Sequence, residues 1–390
     1  MGARHQLLAG AVATFVLLAG CSGDEGSAPP SSGGRSSPGS EGAPGTSGKD
    51  TRVTIGAAGD VLPHYPVQQS AAPNAAGSGY DFTPMFAEVT DLLTGPDVTL
   101  CHMETPISSD DTHLTPQGST TFNTAFEIAD ALVDAGYDGC DTVSNHTWDR
   151  TLDGLTSTRS VLEDAGLQVA GPAASEGGER QATYEVDGVD VTQLAYTYTI
   201  HNSATPTTTV PEEAPWLRDS LWPAVGADGI LEDAEKAKGD GADFVVVSMH
   251  WGAEYQTEPT DEQLSIATEL LESDSVDLIL GTHAHVVQPC EKVNGKYVLY
   301  GMGNSLSNQS PETSSSLRPE TQEGLIAPVG LTKDAEGEVS STLRYQPTKV
   351  RLKDHIIEPA TERQHPETHE RVTETMESLG EGKCDATPME

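Results

Sequence analysis

Residues 276–285 read VDLILGTHAH, and residues 244–252 read FVVVSMHWG. Each is a short apolar run, rich in Val, Ile or Leu, that breaks off at a histidine. Such runs are strands, and between them Thr260–Glu272 spaces its apolar residues as a helix does. Strand, helix, strand in succession is the repeating unit of a layered α/β protein.

Upstream the same alternation recurs. Val53–Ala58 reads as a strand followed by Gly59-Asp60, and Asp97–Met103 as a strand followed by Glu104-Thr105-Pro106. Phe126–Ala135 is a helix pattern ending at Gly136, Cys140–Ser144 a strand followed by Asn145-His146, and Leu152–Ala165 a helix with Gly166 just past its end. Leu167–Ala170 is a short strand. Two hairpins are marked by their turns: Asp187-Gly188 between Tyr184–Val186 and Val189–Tyr196, and Asn294-Gly295 between Val287–Val293 and Tyr297–Tyr300. Residues 201–222 read as a long loop and Ile230–Lys238 as a helix. Past Ser310 come a polar loop, two or three strands between Leu325 and Ile357, and an amphipathic helix over His369–Leu379. The prediction is a layered α/β/α sandwich whose hairpins make its sheets mixed.

Five of the strands end in residues able to hold a metal: Asp60; Glu104; Asn145 with His146; His250; and His283 with His285. In α/β sheets, sites form beyond the carboxyl ends of strands, so these residues are expected at one edge. His283 and His285, two apart on a strand end, are expected to point the same way. Carboxylate, amide oxygen and imidazole together suit Zn, Mn or Fe. A bridging carboxylate lets one or two divalent ions share the site.

Lys and Arg number 21 against 60 Asp and Glu, a formal net charge of −39. Nucleic acid is excluded as a partner on this balance, because phosphate binding needs clustered cations. A polyanionic ligand needs local positive charge, which bound metal supplies. The N-terminus carries Arg4 and His5, an apolar run over Leu7–Leu18 too short to cross a bilayer, and then Leu18-Ala19-Gly20-Cys21. This ending resembles the lipobox of bacterial lipoproteins, in which the Cys is acylated and becomes the first mature residue. Ser22 to about Lys49 is nearly all Ser, Gly, Pro, Glu and Asp. It cannot bury a core and reads as a disordered tether with a span on the order of 30 Å. The resulting division is a signal peptide at 1–20, a tether at 21–50, a main domain at 51–310, and C-terminal strands and a helix at 311–390 that pack on or extend it. Localisation is expected on the extracytoplasmic side of the cell membrane, through a lipid on Cys21. Four other cysteines remain, Cys101, Cys140, Cys290 and Cys384. An even number in an exported chain points to two disulfides among three connectivities. Cys101–Cys140 and Cys290–Cys384 are expected, the first pair because its strands should be neighbours at comparable height.

The order of the strand-end residues resembles the calcineurin-like metallophosphatase plan. It is closer still to the capsule-synthesis protein family typified by CapA and PgsA, which takes part in making and exporting poly-γ-glutamate capsules. The resemblance rests on Gly59-Asp60-Val61, His102-Met103-Glu104-Thr105-Pro106, Ser144-Asn145-His146-Thr147-Trp148-Asp149, His250-Trp251-Gly252-Ala253-Glu254-Tyr255, Gly281-Thr282-His283-Ala284-His285 and Tyr300-Gly301-Met302-Gly303-Asn304. It implies a calcineurin-like architecture and a two-metal site. Asp60, bridging Glu104 and His285 would hold one ion; Glu104, Asn145, His250 and His283 the other. It also implies that His146 acts as general acid, that Asp149 orients it, and that Asn304 lines the pocket. Two departures stand out. Leu62 occupies the position where the phosphatase plan has a His, and His102 stands where the capsule family more usually has Asn, as a compensating ligand or simply a strand residue.

Three functions fit this reading. The first is a capsule-synthesis lipoprotein with a metal-dependent hydrolase-like site, acting on or assisting a polyanion such as poly-γ-glutamate beside membrane-bound synthase subunits. The others are a secreted metallophosphoesterase of broad range and a non-catalytic polymer-binding assembly subunit.

Overall fold

A computed structural model describes residues 50–389. The signal segment, Cys21 and the tether up to residue 49 lie outside the described residues.

The chain supplies β1 (Thr51–Val61), β2 (Val98–Met103), β3 (Gly139–Asp141), β4 (Gln168–Ala170), β5 (Ala182–Val186), β6 (Val189–Thr197) and β7 (Phe244–His250). It continues with β8 (Leu278–Thr282), β9 (Cys290–Val293), β10 (Lys296–Leu299), β11 (Asn304–Leu306), β12 (Glu323–Lys333), β13 (Val339–Arg351) and β14 (Ile356–Pro359). The first sheet runs β14-β13-β12-β1-β2-β3-β4, with β11 also paired to β1; the second runs β5-β6-β7-β8-β10-β9. Both are mixed: β1 to β4 are parallel while β12 is antiparallel to β1, and in the second sheet the parallel core β6-β7-β8-β10 is edged by the two predicted hairpins.

The two sheets face each other. Ile55 and Leu100 from the first share one apolar cluster with Val246 and Leu280 from the second. On the outer face of the first sheet, Ile128, Leu132 and Leu162 from the helices Glu127–Ala135 and Thr151–Ala165 pack with Cys101 and Cys140. On the outer face of the second, Ile230 and Leu270 from Trp222–Asp240 and Asp261–Glu272 pack with Val247 and Ile279. The layers are therefore helix, sheet, sheet, helix. The second of those outer helices begins at a capping box, in which Thr260 accepts from the Gln263 amide and Gln263 returns the bond to the Thr260 N–H.

Residues 323–359 are continuous with the first sheet through the long β1–β12 ladder. The C-terminal helix Pro366–Met376 seats Val372 and Met376 among the side chains between the sheets. Both expected disulfides are formed, with Cα atoms 4.4 Å apart for Cys101–Cys140 and 5.5 Å for Cys290–Cys384. Among the described residues no helix is long and apolar enough to cross a membrane.

Some boundaries differ from the sequence reading for local reasons. β3 stops at Asp141 rather than Ser144, because the Ser144 N–H bonds to Thr147 Oγ1 and closes a turn instead of a ladder. The helix expected from Ile230 begins at Trp222, and positive φ at Gly226 breaks its first turns. The helix Tyr65–Ala71 and the three-residue β11 have no predicted counterpart, since both are too short for periodicity to register.

Candidate metal centre

Two strand crossings bring the site together, and each needs a residue without a side chain. A Cβ on Gly59 would stand 2.0 Å from the Gly303 carbonyl oxygen, and one on Gly281 would stand 2.0 Å from that of Tyr300. The first gap lets Asp60 N–H donate to Gly303 O at 2.9 Å and places Asp60 beside Asn304 in register. The second lets the chain after β8 turn inward over the first sheet.

That turn corrects the expectation for His283 and His285. β8 ends at Thr282, and both histidines have left-handed backbones, with φ of 89° and 55°. They converge through a strained turn, not through strand alternation, and backbones of this kind cluster at functional sites. The His283 N–H reaches the Asp60 carboxylate at 3.3 Å. His285 places Nδ1 2.9 Å from Asp60 Oδ2 and Nε2 3.7 Å from Glu104 Oε1. Asp60, Glu104 and His285 thus present donor atoms within 4.8 Å of one another, as do Glu254, His283 and His285. Beside them His250 Nε2 lies 3.1 Å from Asn145 Oδ1, and its ring lies 4.6 Å from that of His283.

All six predicted ligands, Asp60, Glu104, Asn145, His250, His283 and His285, are buried in this one cluster. Neither oxygen of Glu104 has a hydrogen-bond partner among the described residues, nor does Nδ1 of His283. A buried carboxylate without hydrogen bonds is costly, and its nearest cationic neighbours are imidazoles. Burial pushes the Glu104 carboxyl above its usual range; His285 opposes this and Asp60 adds to it. Burial works against a charged His285, yet Glu104 and Asp60 push its pKa up to about 10. His250 and His283 are held neutral, well below the ordinary imidazole value, by burial and then by neighbouring histidines. Acidic oxygens with no donors, facing neutral ring nitrogens, are the donor set a divalent cation fits.

A cleft of about 730 Å³ opens onto the cluster. Glu104, His285 and His146 line it, with Glu254, Tyr255, Asn202, Asn308 and Gln309 among its walls, and no Lys or Arg stands among its described lining residues. His146 Nδ1 lies 2.8 Å from Asp149 Oδ2, which also accepts the Phe122 N–H at 2.7 Å. The Phe122 ring separates His146 from His64, at 4.4 and 4.2 Å between centroids. Asn304, expected to line the pocket, does not. It is fully buried behind His285, its Oδ1 3.2 Å from His285 Nδ1 and its amide donating to Thr321 O, so it braces that ring.

The sequence reading assigns no role to Glu254, Asp141 or Tyr198. Glu254 lies four residues past His250, close enough in sequence to have been weighed with it. Asp141 is the register partner of His102 on the neighbouring strand, and the Tyr198 ring stands 4.6 Å from that of His283. Neither contact leaves a trace in local pattern, because each depends on strand pairing or sheet docking.

The profile of the family described as "Bacterial capsule synthesis protein PGA_cap" matches residues 54–309. The PGA biosynthesis protein CapA of Bacillus subtilis (strain 168) is 24% identical over 253 residues, 64% of this chain and 62% of that protein. The capsule biosynthesis protein CapA of Bacillus anthracis is 25% identical over 267 residues, 67% of this chain and 61% of that one. The chain thus spans less than two thirds of the length of these relatives. Among solved structures, a phosphatase from Mycoplasma pneumoniae aligns with a TM-score of 0.45 at 14% identity, covering 76% of this chain and 94% of that one. The matched segment takes in every residue of the cluster from Asp60 to Asn304, and the chain belongs to the bacterial capsule synthesis protein family.

Proposed function

We propose that the protein is an extracytoplasmic lipoprotein, anchored through Cys21, that acts on a poly-γ-glutamate-like polymer at a metal-dependent hydrolytic site. One observation carries this reading: six donors from both sheets converge around Glu104, whose two carboxylate oxygens are buried and unpartnered.

Asp60, Glu104 and His285 would hold one divalent ion, and Glu104, Asn145, His250 and His283 a second, with Zn, Mn and Fe the candidates. Such ions supply Lewis acidity toward a carbonyl or phosphoryl oxygen. The chain's own groups do the rest. Asp149 takes up Nδ1 of His146, which leaves Nε2 as the ring nitrogen that passes a proton to a leaving group in the cleft. Asn304 and Asp60 fix the ring of His285. Among the described residues the cleft walls offer amides, hydroxyls, imidazoles and the carboxylates of Glu104 and Glu254, and no guanidinium or ammonium group. Phosphate and carboxylate recognition both lean on Arg and Lys, so for either substrate the counter-charge would fall to bound metal, while Asn202, Asn308 and Gln309 offer amide groups to an amide-linked chain. The amide-polymer reading therefore rests on the family to which the chain belongs, not on the charge of the cleft.

Elemental analysis of the purified protein tests this first. Wild type is expected to carry a transition metal that His283→Ala loses; a metal-free wild type unchanged by that substitution overturns the proposal. If metal is present, poly-γ-glutamate and an aryl phosphate are compared as substrates. Turnover of the phosphate alone assigns a broad-range phosphoesterase, and turnover of neither assigns a binding subunit. Cys21→Ser should release the protein from the membrane fraction.

A further inference from the structure

We propose that His102 is an additional ligand of the metal centre, presented through Nε2 and locked in that pose by Asp141. This rests on the metal-site reading above.

His102 sits in the middle of the row that three parallel strands form, with Asp60 as its register partner on β1 and Asp141 on β3. It is 1% exposed. Its Nδ1 lies 2.7 Å from Asp141 Oδ1. An ionised carboxylate only accepts, so this bond puts a proton on Nδ1, and in the neutral ring it leaves Nε2 with its lone pair for an ion. Nε2 has no hydrogen-bond partner among the described residues and stands 4.0 Å from Glu104 Oε2, itself unpartnered. That gap is too long for a hydrogen bond. Tetrahedral donors about 2.0–2.1 Å from a shared ion stand about 3.4 Å apart, so a small shift of either side chain would let both hold one ion.

The surroundings agree. The His102 ring stacks on His250 at 4.8 Å between centroids, and His250 offers its own Nε2 toward Asn145. A carboxylate holding the far nitrogen of a ligating imidazole is the usual partner of a metal-binding histidine. Asp141 is therefore a positioning residue. One position earlier, the Cys101–Cys140 disulfide closes the same two strands and fixes the register that pairs His102 with Asp141. The competing account is a structural ion pair. Burial opposes the charged ring, but Asp141 and the nearby acids push its pKa up to about 9, so an imidazolium clasped between Asp141 and Glu104 needs no metal.

Titration of metal-stripped protein with Zn²⁺ or Mn²⁺ separates the two. His102→Asn is expected to weaken affinity by at least about tenfold, and Asp141→Asn by roughly 10–100-fold. The rise in Tm on adding Zn²⁺ should shrink in both. An ion pair predicts a lower Tm in chelator with the Zn²⁺-induced rise unchanged. In wild type labelled with ¹⁵N-histidine, the His102 Nε2 resonance should move on Zn²⁺ addition, a reading available even if the variants do not fold. Unchanged affinity in a folded His102→Asn, or an unmoved Nε2 resonance in Zn²⁺-loaded wild type, overturns the role of His102 alone. Wild type that takes up neither ion overturns the metal site itself.

Discussion

The first sheet and the second sheet contribute unlike halves of the cluster. Of the six predicted ligands, the first brings the oxygens, through Asp60, Glu104 and Asn145, and the second the nitrogens, through His250, His283 and His285. They are also held differently. The oxygen half sits at the ends of β1 and β2 and just past β3, with a disulfide across two of those strands. The nitrogen half hangs largely on a turn with left-handed histidines. Without the second sheet Asp60 loses the His283 N–H and the His285 ring, and Glu104 loses its nearest counter-charge, so each half is incomplete alone. The cluster exists only where the two sheets dock, so ion binding and docking are coupled.

The comparison is tested most severely by removing one donor from each half. Glu104→Gln and His283→Ala should each weaken Zn²⁺ or Mn²⁺ affinity beyond the roughly 10–100-fold that loss of an outer partner costs. In chelator both should be less stable than wild type, for different reasons. Glu104→Gln leaves the charged His285 ring without its main counter-charge, and His283→Ala leaves a cavity. Calorimetry that finds Glu104→Gln more stable than wild type in chelator would show that the oxygen half is uncompensated until an ion binds.

Next come the glycines that let the halves approach. Gly59→Ala and Gly281→Ala each push a Cβ to 2.0 Å from a carbonyl oxygen of a neighbouring strand, where only backbone movement makes room. Each should cost about 4 kcal/mol or more, beyond ordinary overpacking. Denaturant unfolding reads this directly. A cost below about 1 kcal/mol at either position would mean that the crossing there is looser than the nitrogen half requires.

The disulfides give a smaller contrast. Cys101 and Cys140 are both buried, whereas Cys384 is only partly covered. Mild reductant under native conditions should open Cys290–Cys384 first and leave Cys101–Cys140 intact until the protein unfolds. Loss of the first should cost about 2–4 kcal/mol. Mass mapping of alkylated thiols settles the order, and simultaneous opening would show that the first sheet breathes as freely as the tail of the chain.

Much of this was legible in the sequence because it is local. Apolar runs ending in Asp60, Glu104, His250 and His283 announce strands and put their last residues at one edge, and Asp187-Gly188 and Asn294-Gly295 announce their turns. The pairing of Cys101 with Cys140 followed from adjacent strands. What stayed hidden depends on contacts between distant segments. His102 reads either as a compensating ligand or as a plain strand residue until Asp141 stands beside it, and Asn304 reads as a pocket residue until Thr321 takes its amide. The left-handed turn through His283 and His285 is likewise invisible to a period-2 argument, since it begins where the strand stops.

The mildest test concerns the periphery of the first sheet. His355, in the turn between β13 and β14, is buried with φ of 55°, and its Nδ1 lies 2.8 Å from Ser70 Oγ on the helix that follows β1. Burial lowers its pKa from 6.5 to about 4, against a smaller upward pull from Asp354. The unfolded chain therefore takes up a proton at this ring at higher pH than the folded chain. Stability from this group is complete above about 6.5 and is lost as pH falls through about 4. His355→Gln keeps a polar partner for Ser70 and cannot charge, so it should flatten the stability–pH curve in that window while leaving stability above pH 7 within about 1 kcal/mol. Hydrogen exchange at pH 5 should show β13 and β14 opening ahead of β7 and β8 in wild type, and the two sheets opening more nearly together in the variant. If the order is unchanged, the acid sensitivity of the first sheet lies elsewhere than at His355, and the contrast between the sheets is confined to the cluster where they meet.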